Sequence, residues 1–179
     1  AGPENDARFA NSRVARAVRL DLSDPLQARV TGHFLVPVSR AADYGSQQKQ
    51  ANVKLNDADW LVPDRLLVLE AGKEFARLVL VDFRPATNLL GRADENSLAW
   101  ETSGGALDKL PVTAAATEVW GSTAGLPGMS GKLEGLVVLS PTEIALANDN
   151  DYGLGDNDTG EPSLVWLLHL TRPLPCVPH

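Results

Sequence analysis

One stretch of this chain is written twice. Residues 54–70 align without a gap on residues 132–148, an offset of 78 positions that brings Lys54 onto Lys132. Each copy holds an apolar run, a Pro-centred turn (Val62-Pro63-Asp64 and Ser140-Pro141-Thr142) and a second apolar run. A repeated strand–turn–strand unit restricts the chain to architectures in which like units stack on one another. The second copy continues into Asp149-Asn150-Asp151-Tyr152-Gly153, so it ends in acidic and amide oxygens.

The rest of the chain has the same period. Val14, Arg16, Val18, Leu20 and Leu22 alternate with Ala15, Ala17, Arg19 and Asp21, which predicts a strand ended by Ser23-Asp24-Pro25. A second strand is predicted over residues 28–38, with Val30, Phe34, Val36 and Val38 on one face. The short connection between the two predicts an antiparallel hairpin. Residues 39–53 read as a loop. Further strands are predicted over residues 55–61, 66–70, 76–83, 112–120, 133–139, 144–148 and 163–170, with an excursion at 84–109 that includes a short helix. This is an all-β chain grouped as two, four and three strands.

Four-stranded antiparallel units repeated along a chain are β-propeller blades. On that reading residues 13–38 are the outer strands of one blade. Residues 54–120 are a full blade carrying the excursion, and residues 132–170 are a last blade without its outer strand. About two and a half blades leave the ring incomplete. The whole of 1–179 then reads as the C-terminal portion of one propeller domain, expected to be held against N-terminal blades of the same parent protein. Such a chain exposes raw sheet edges, an aggregation liability. It starts on Ala1 with no signal peptide visible, which implies a processed or excised segment. The competing architecture is a β-sandwich with a chance repeat.

Composition excludes some roles. A net charge of −7 with 16 scattered basic residues does not suit phosphate backbones, which need clustered Lys and Arg. No nucleic-acid partner is therefore expected. No apolar run approaches the roughly 20 residues that span a bilayer. The lone cysteine, Cys176, excludes an internal disulfide and a thiolate cluster. Acidity fits a hard cation such as Ca²⁺, or simply solubility.

Pairing each hairpin about its proline sets Asn56 opposite Glu70, Glu134 opposite Asn148, and Lys132 opposite Asn150. Directly opposed side chains have Cβ atoms about 5 Å apart. Each copy is thus expected to place a carboxylate beside an asparagine at one end of its hairpin. In a propeller those ends meet at a channel mouth. Glu134, Asn148, Asp149 and Asp151, with Asn56, Asp57 and Glu70 from the neighbouring blade, are the expected oxygen donors. Ca²⁺ takes six to eight of them. Lys54, Lys132 and Arg65 are the cations expected near an anionic substrate. An ordinary Asn/Asp/Gly turn at 148–153 is the bland alternative, and Asp156-Asn157-Asp158-Thr159-Gly160-Glu161 reads as a surface loop. His33, His169 and His179 form no metal motif, and Ser130 is not in a nucleophile elbow. Trp60, Trp100, Trp120 and Trp166 read as packing between blades.

Gly131-Lys132-Leu133-Glu134-Gly135-Leu136 followed by Asn148-Asp149-Asn150-Asp151-Tyr152-Gly153 resembles the C-terminal part of the esterase-like phytase family. That family has a K-x-E-G-L strand followed by an N/D-D-N-D-F/Y-G loop. Asp64-Arg65-Leu66-Leu67-Val68-Leu69-Glu70 resembles its D-G-R-L-L-V-L-E blade, and Pro85-Ala86-Thr87-Asn88 its G-A-T-N element. The glycine of the blade motif is missing here. The resemblance runs from about residue 14 to 172 and covers only the C-terminal half or less of the family domain. It implies a propeller, an extracytoplasmic bacterial setting, and Ca²⁺-dependent hydrolysis of a small phosphoester, with Glu134, Asp149 and Asp151 at the metal that activates water. Two other readings stay open. One is a non-enzymatic Ca²⁺-binding propeller module that holds a partner or ligand. The other is a Ca²⁺-dependent lactonase or carboxylesterase.

Overall fold

The computed structural model describes residues 7–24, 26–102, 106–129, 132–149 and 162–175. Among them lie strands β1 (Val14–Asp21), β2 (Arg29–Pro37), β3 (Lys54–Val62), β4 (Arg65–Ala71), β5 (Ala76–Asp82), β6 (Ala116–Ser122), β7 (Leu133–Ser140), β8 (Glu143–Asn148) and β9 (Val165–His169), with one short helix, α1 (Ala99–Thr102). The strands form three antiparallel sheets in the orders β1-β2, β3-β4-β5-β6 and β7-β8-β9. The grouping into two, four and three is the one the alternation predicts.

The repeat extends to its irregularities. β3 pairs with β4 in the expected register from Asp57 opposite Leu69 to Trp60 opposite Leu66, with breaks at Asn56 and Leu61. β7 pairs with β8 as expected from Gly135 opposite Ala147 to Val138 opposite Ile144, with breaks at Glu134 and Leu139. Asn56 and Glu134 are equivalent in the repeat, and so are Leu61 and Leu139. A bulge inserts one residue into one strand and moves the register by one. The expected opposition of Asn56 to Glu70 and of Glu134 to Asn148 is therefore corrected. Leu55 faces Glu70, and Leu133 faces Asn148. The third expected pair, Lys132 with Asn150, lies partly outside the described residues. The first turn needs Asp64 at φ 62°, a left-handed value that Asp tolerates better than most residues with a Cβ.

Alternation along each strand stacks the sheets face to face. Leu67 and Leu69 of β4 and Leu78 and Leu80 of β5 pack against Leu133, Leu136, Val138, Ile144 and Leu146 of the third sheet. The opposite face, with Val68, Val79 and Val81, packs against Val36, Ala15 and Ala17 of the β1–β2 hairpin. The four-stranded sheet is the middle layer, buried on both sides. Trp120 and Trp166 border the first of these cores, as expected for packing between sheets. Trp60 is half-exposed, and Trp100 belongs to the excursion.

The excursion covers the other face of the hairpin. Leu89, Trp100 and Val112 pack on Val14 and Leu35. The predicted strand at 112–120 begins later, at Ala116. Val112 is buried in this cluster, and the Ala115 amide donates to the Leu35 carbonyl (2.8 Å). Arg16 fastens the excursion, bonding the Glu101 carboxylate and the carbonyls of Glu95 (2.6 Å) and Ser97 (2.8 Å). Glu95 receives the Gly91 amide (2.8 Å) and lies 3.1 Å from His33 Nδ1. The Gly91 amide first, and then His33, hold its carboxyl below the usual carboxylate range.

A carboxyl whose folded pKa is depressed adds stability that is full above its unfolded pKa. That stability is lost as pH falls through the folded value. Glu95→Gln is expected to flatten the acid limb of stability below about pH 4, the unfolded carboxylate range. Urea unfolding followed across pH checks this, and an unchanged slope would remove Glu95 from the acid response.

Candidate functional site

β3 and β7 begin consecutive sheets, and neither has a strand paired to its outer edge among the described residues. Such edges present backbone amides that need acceptors. Aspartates from β3 supply them. The Ala58 amide donates to Asp57 Oδ1 (2.8 Å), and the Leu136 amide of β7 donates to Asp57 Oδ2 (2.7 Å). The Trp60 amide donates to Asp59 Oδ1 (2.7 Å), and the Val138 amide donates to Asp59 Oδ2 (2.6 Å). Ala58 and Leu136 are equivalent in the repeat, and so are Trp60 and Val138. Each carboxylate therefore straps two equivalent amides of neighbouring sheets. Asn56 adds a third tie, its Nδ2 donating to the Leu133 carbonyl (2.8 Å).

Asp57, expected as a metal ligand, thus has each carboxylate oxygen engaged by a backbone amide. Glu70 is similarly committed. It is 1% exposed. Its Oε2 accepts the Ser39 amide (2.8 Å), and its Oε1 lies 2.8 Å from the Tyr44 hydroxyl. Burial first, and then the Glu70 charge, push the Tyr44 hydroxyl well above its ordinary pKa, so Tyr44 is a donor at any working pH. Glu70 anchors the 39–44 segment beneath the sheet.

The expected cations separate. Lys54 opposes Ala71 at one end of the first hairpin. Arg65 stands at the other end of β4, about 20 Å away at ~3.3 Å per residue, with its Nε on Asp82 Oδ2 (3.1 Å). Lys54 and Asn56 line a groove of about 880 Å³ beside β1. Lys132 is exposed, and its carbonyl accepts the Asp149 amide (3.1 Å).

The second copy keeps its acidic end together. Glu134 is exposed at its bulge, one residue beyond the Leu133–Asn148 pair. Asn148 closes the following loop. Its Nδ2 donates to the Pro162 carbonyl (3.0 Å), and its Oδ1 accepts the Leu164 amide (2.7 Å). Asp151 lies outside the described residues. With Asp57 and Glu70 committed elsewhere, the described residues do not fit a complete Ca²⁺ shell. Among them no three His, Cys, Asp or Glu side chains gather as a metal group.

Asp59 was not among the expected site residues. Its signal was present in the sequence: Asp57 and Asp59 share one face of β3, where the second copy has Gly135 and Val137.

Comparison with protein-family models, with curated proteins and with solved structures finds no match. No helix among the described residues is long and apolar enough to cross a membrane.

Removing a strap carboxylate strands two edge amides. Asp57→Ala and Asp59→Ala are each expected to cost about 1–3 kcal/mol in urea unfolding, equally in Ca²⁺ and in EDTA. A loss seen only with Ca²⁺ present would return Asp57 to the metal.

Proposed function

We propose that this chain is a run of β-propeller blades that works by association, as a non-enzymatic module holding a partner or ligand. The observation that carries this reading is the outer face of the third sheet. Val137, Leu139, Val165 and Leu167 are 51–75% exposed there. The equivalent face of the middle sheet, with Leu61, Leu67 and Leu69, is buried under β7 and β8. A contiguous apolar face of this kind marks an interaction surface. The straps support the blade reading, because they hold equivalent strands of successive sheets side by side.

A second reading is a phosphoester hydrolase of the phytase-like kind, in an extracytoplasmic setting. Its support is the resemblance together with Glu134, which is exposed and re-aimed by a bulge beside Asn148 and Asp149. Bulges recur next to active sites for this reason. A lactonase or carboxylesterase would use the same end of the sheet.

Two measurements separate these readings. A panel of phosphate, lactone and carboxyl esters, with Ca²⁺ and with EDTA, is expected to show no turnover above the blank. Turnover that EDTA and Glu134→Ala both abolish would establish the hydrolase. Val137→Lys combined with Leu167→Lys is expected to reduce concentration-dependent association in sedimentation. Each exposed change should alter stability by no more than about 0.5 kcal/mol. Association unaffected by both lysines would overturn the role of this face.

A further inference from the structure

Three cavities run in line along one edge of β1. The groove of about 880 Å³ shares Ala15 and Leu55 with a second of about 260 Å³. That one shares Ala17, Leu66 and Phe83 with a third of about 300 Å³, which ends at Leu20 and Trp60. Together they make one trough along β1, with β3 as its opposite wall.

The trough is bordered by backbone as well as side chains. Among the described residues β1 pairs only with β2. Leu35 and His33 of β2 turn their carbonyls away from β1, accepting the Ala115 and Leu89 amides (both 2.8 Å). Their partners across the ladder, Arg16 and Val18, therefore turn their own amides and carbonyls outward along the trough. At the far end Val18, Leu20 and Trp60 are about half exposed. The indoles of Trp100, Trp120 and Trp166 each donate to a carbonyl. That of Trp60 has no acceptor among the described residues.

We infer that this trough receives a β-hairpin of the same kind as residues 54–71, adding its second strand antiparallel to β1. The repeat names the occupant. Where the middle sheet meets the third, the hairpin β7–β8 lies over β3–β4. Where the middle sheet meets the first, β1–β2 covers β4 and β5 and reaches only Leu55 of β3, leaving Ala58 and Trp60 exposed on the trough face. An inner hairpin is the element the first sheet lacks. Its length fits, since β1 has 8 residues and the second strands β4 and β8 have 7 and 6. Strand addition then satisfies the outward groups of Arg16 and Val18 while apolar side chains fill the trough. The inference rests on the blade reading, but it concerns a different surface from the outer face of the third sheet.

The test uses the whole chain and a synthetic peptide of residues 54–71, with a scrambled peptide as control. Saturable binding is expected, with slowed hydrogen exchange at the Arg16 and Val18 amides. Val18→Pro removes one outward donor and leaves the ladder to β2 intact. It should weaken binding about three- to tenfold. Should that variant misfold, Trp60→Lys, which keeps the backbone donors of β1 and charges the far end of the trough, should weaken binding by a similar factor. Binding that protects β9 instead would overturn this site and leave the blade reading standing. Protection of β1 by dimerisation without peptide would make the occupant a second copy and overturn the assignment. Absence of peptide binding would also overturn it, while the lysine variants of the third sheet would still test the blade reading on their own.

Discussion

The amides along an unpaired strand edge must find acceptors, and a stack of sheets cannot settle until they do. Here two carboxylates meet that demand for two sheets at once. Asp57 and Asp59 each take an amide from their own strand and the equivalent amide from the next. Hydrogen bonds to an ionised acceptor are roughly twice as strong as neutral ones. Because the bonded amides are equivalent in the repeat, the straps fix how far one sheet is displaced from its neighbour. The leucine-rich core between the sheets then closes at that displacement.

Fastening by β3 has a direction. It offers acceptors toward the third sheet, whereas β7 carries Gly135 and Val137 at the same places and offers none. The third sheet is therefore strapped on one face and bare and apolar on the other. The hairpin β1–β2 is fastened by different means. The excursion lies across its outer face, tied through Arg16 and His33, and its inner edge borders the trough.

Much of this arrangement was legible in the residues. Period-two alternation placed the strands, and the repeat placed two hairpins in equivalent positions with the correct central register. What it hid was local. Nothing in Asn56 or Glu134 announces a bulge, and each bulge shifts one pairing by a residue. That shift takes Asn56 out of direct opposition to Glu70 and Glu134 out of direct opposition to Asn148. Glu70 was misleading for a related reason. Its type suggests an ion ligand, but burial beside Tyr44 and Ser39 makes it an anchor. Asp57 and Asp59 likewise resemble channel-lining acids until their amide partners are seen. Charged residues on a strand do not reveal whether they face a ligand or a neighbour's backbone. At the end of β8, Asn148 faces Leu133 and the Asp149 amide bonds the Lys132 carbonyl, next to the bulge at Glu134; Asp151 lies outside the described residues.

Amide hydrogen exchange resolved by residue tests the straps most directly. Leu136 and Val138 lie on a strand edge and should nonetheless be protected. Protection of Leu136 should fall selectively in Asp57→Ala, and that of Val138 in Asp59→Ala. Fast exchange of both amides in the unaltered chain, or equal loss at both in either variant, would contradict the claim that these carboxylates hold the sheets together.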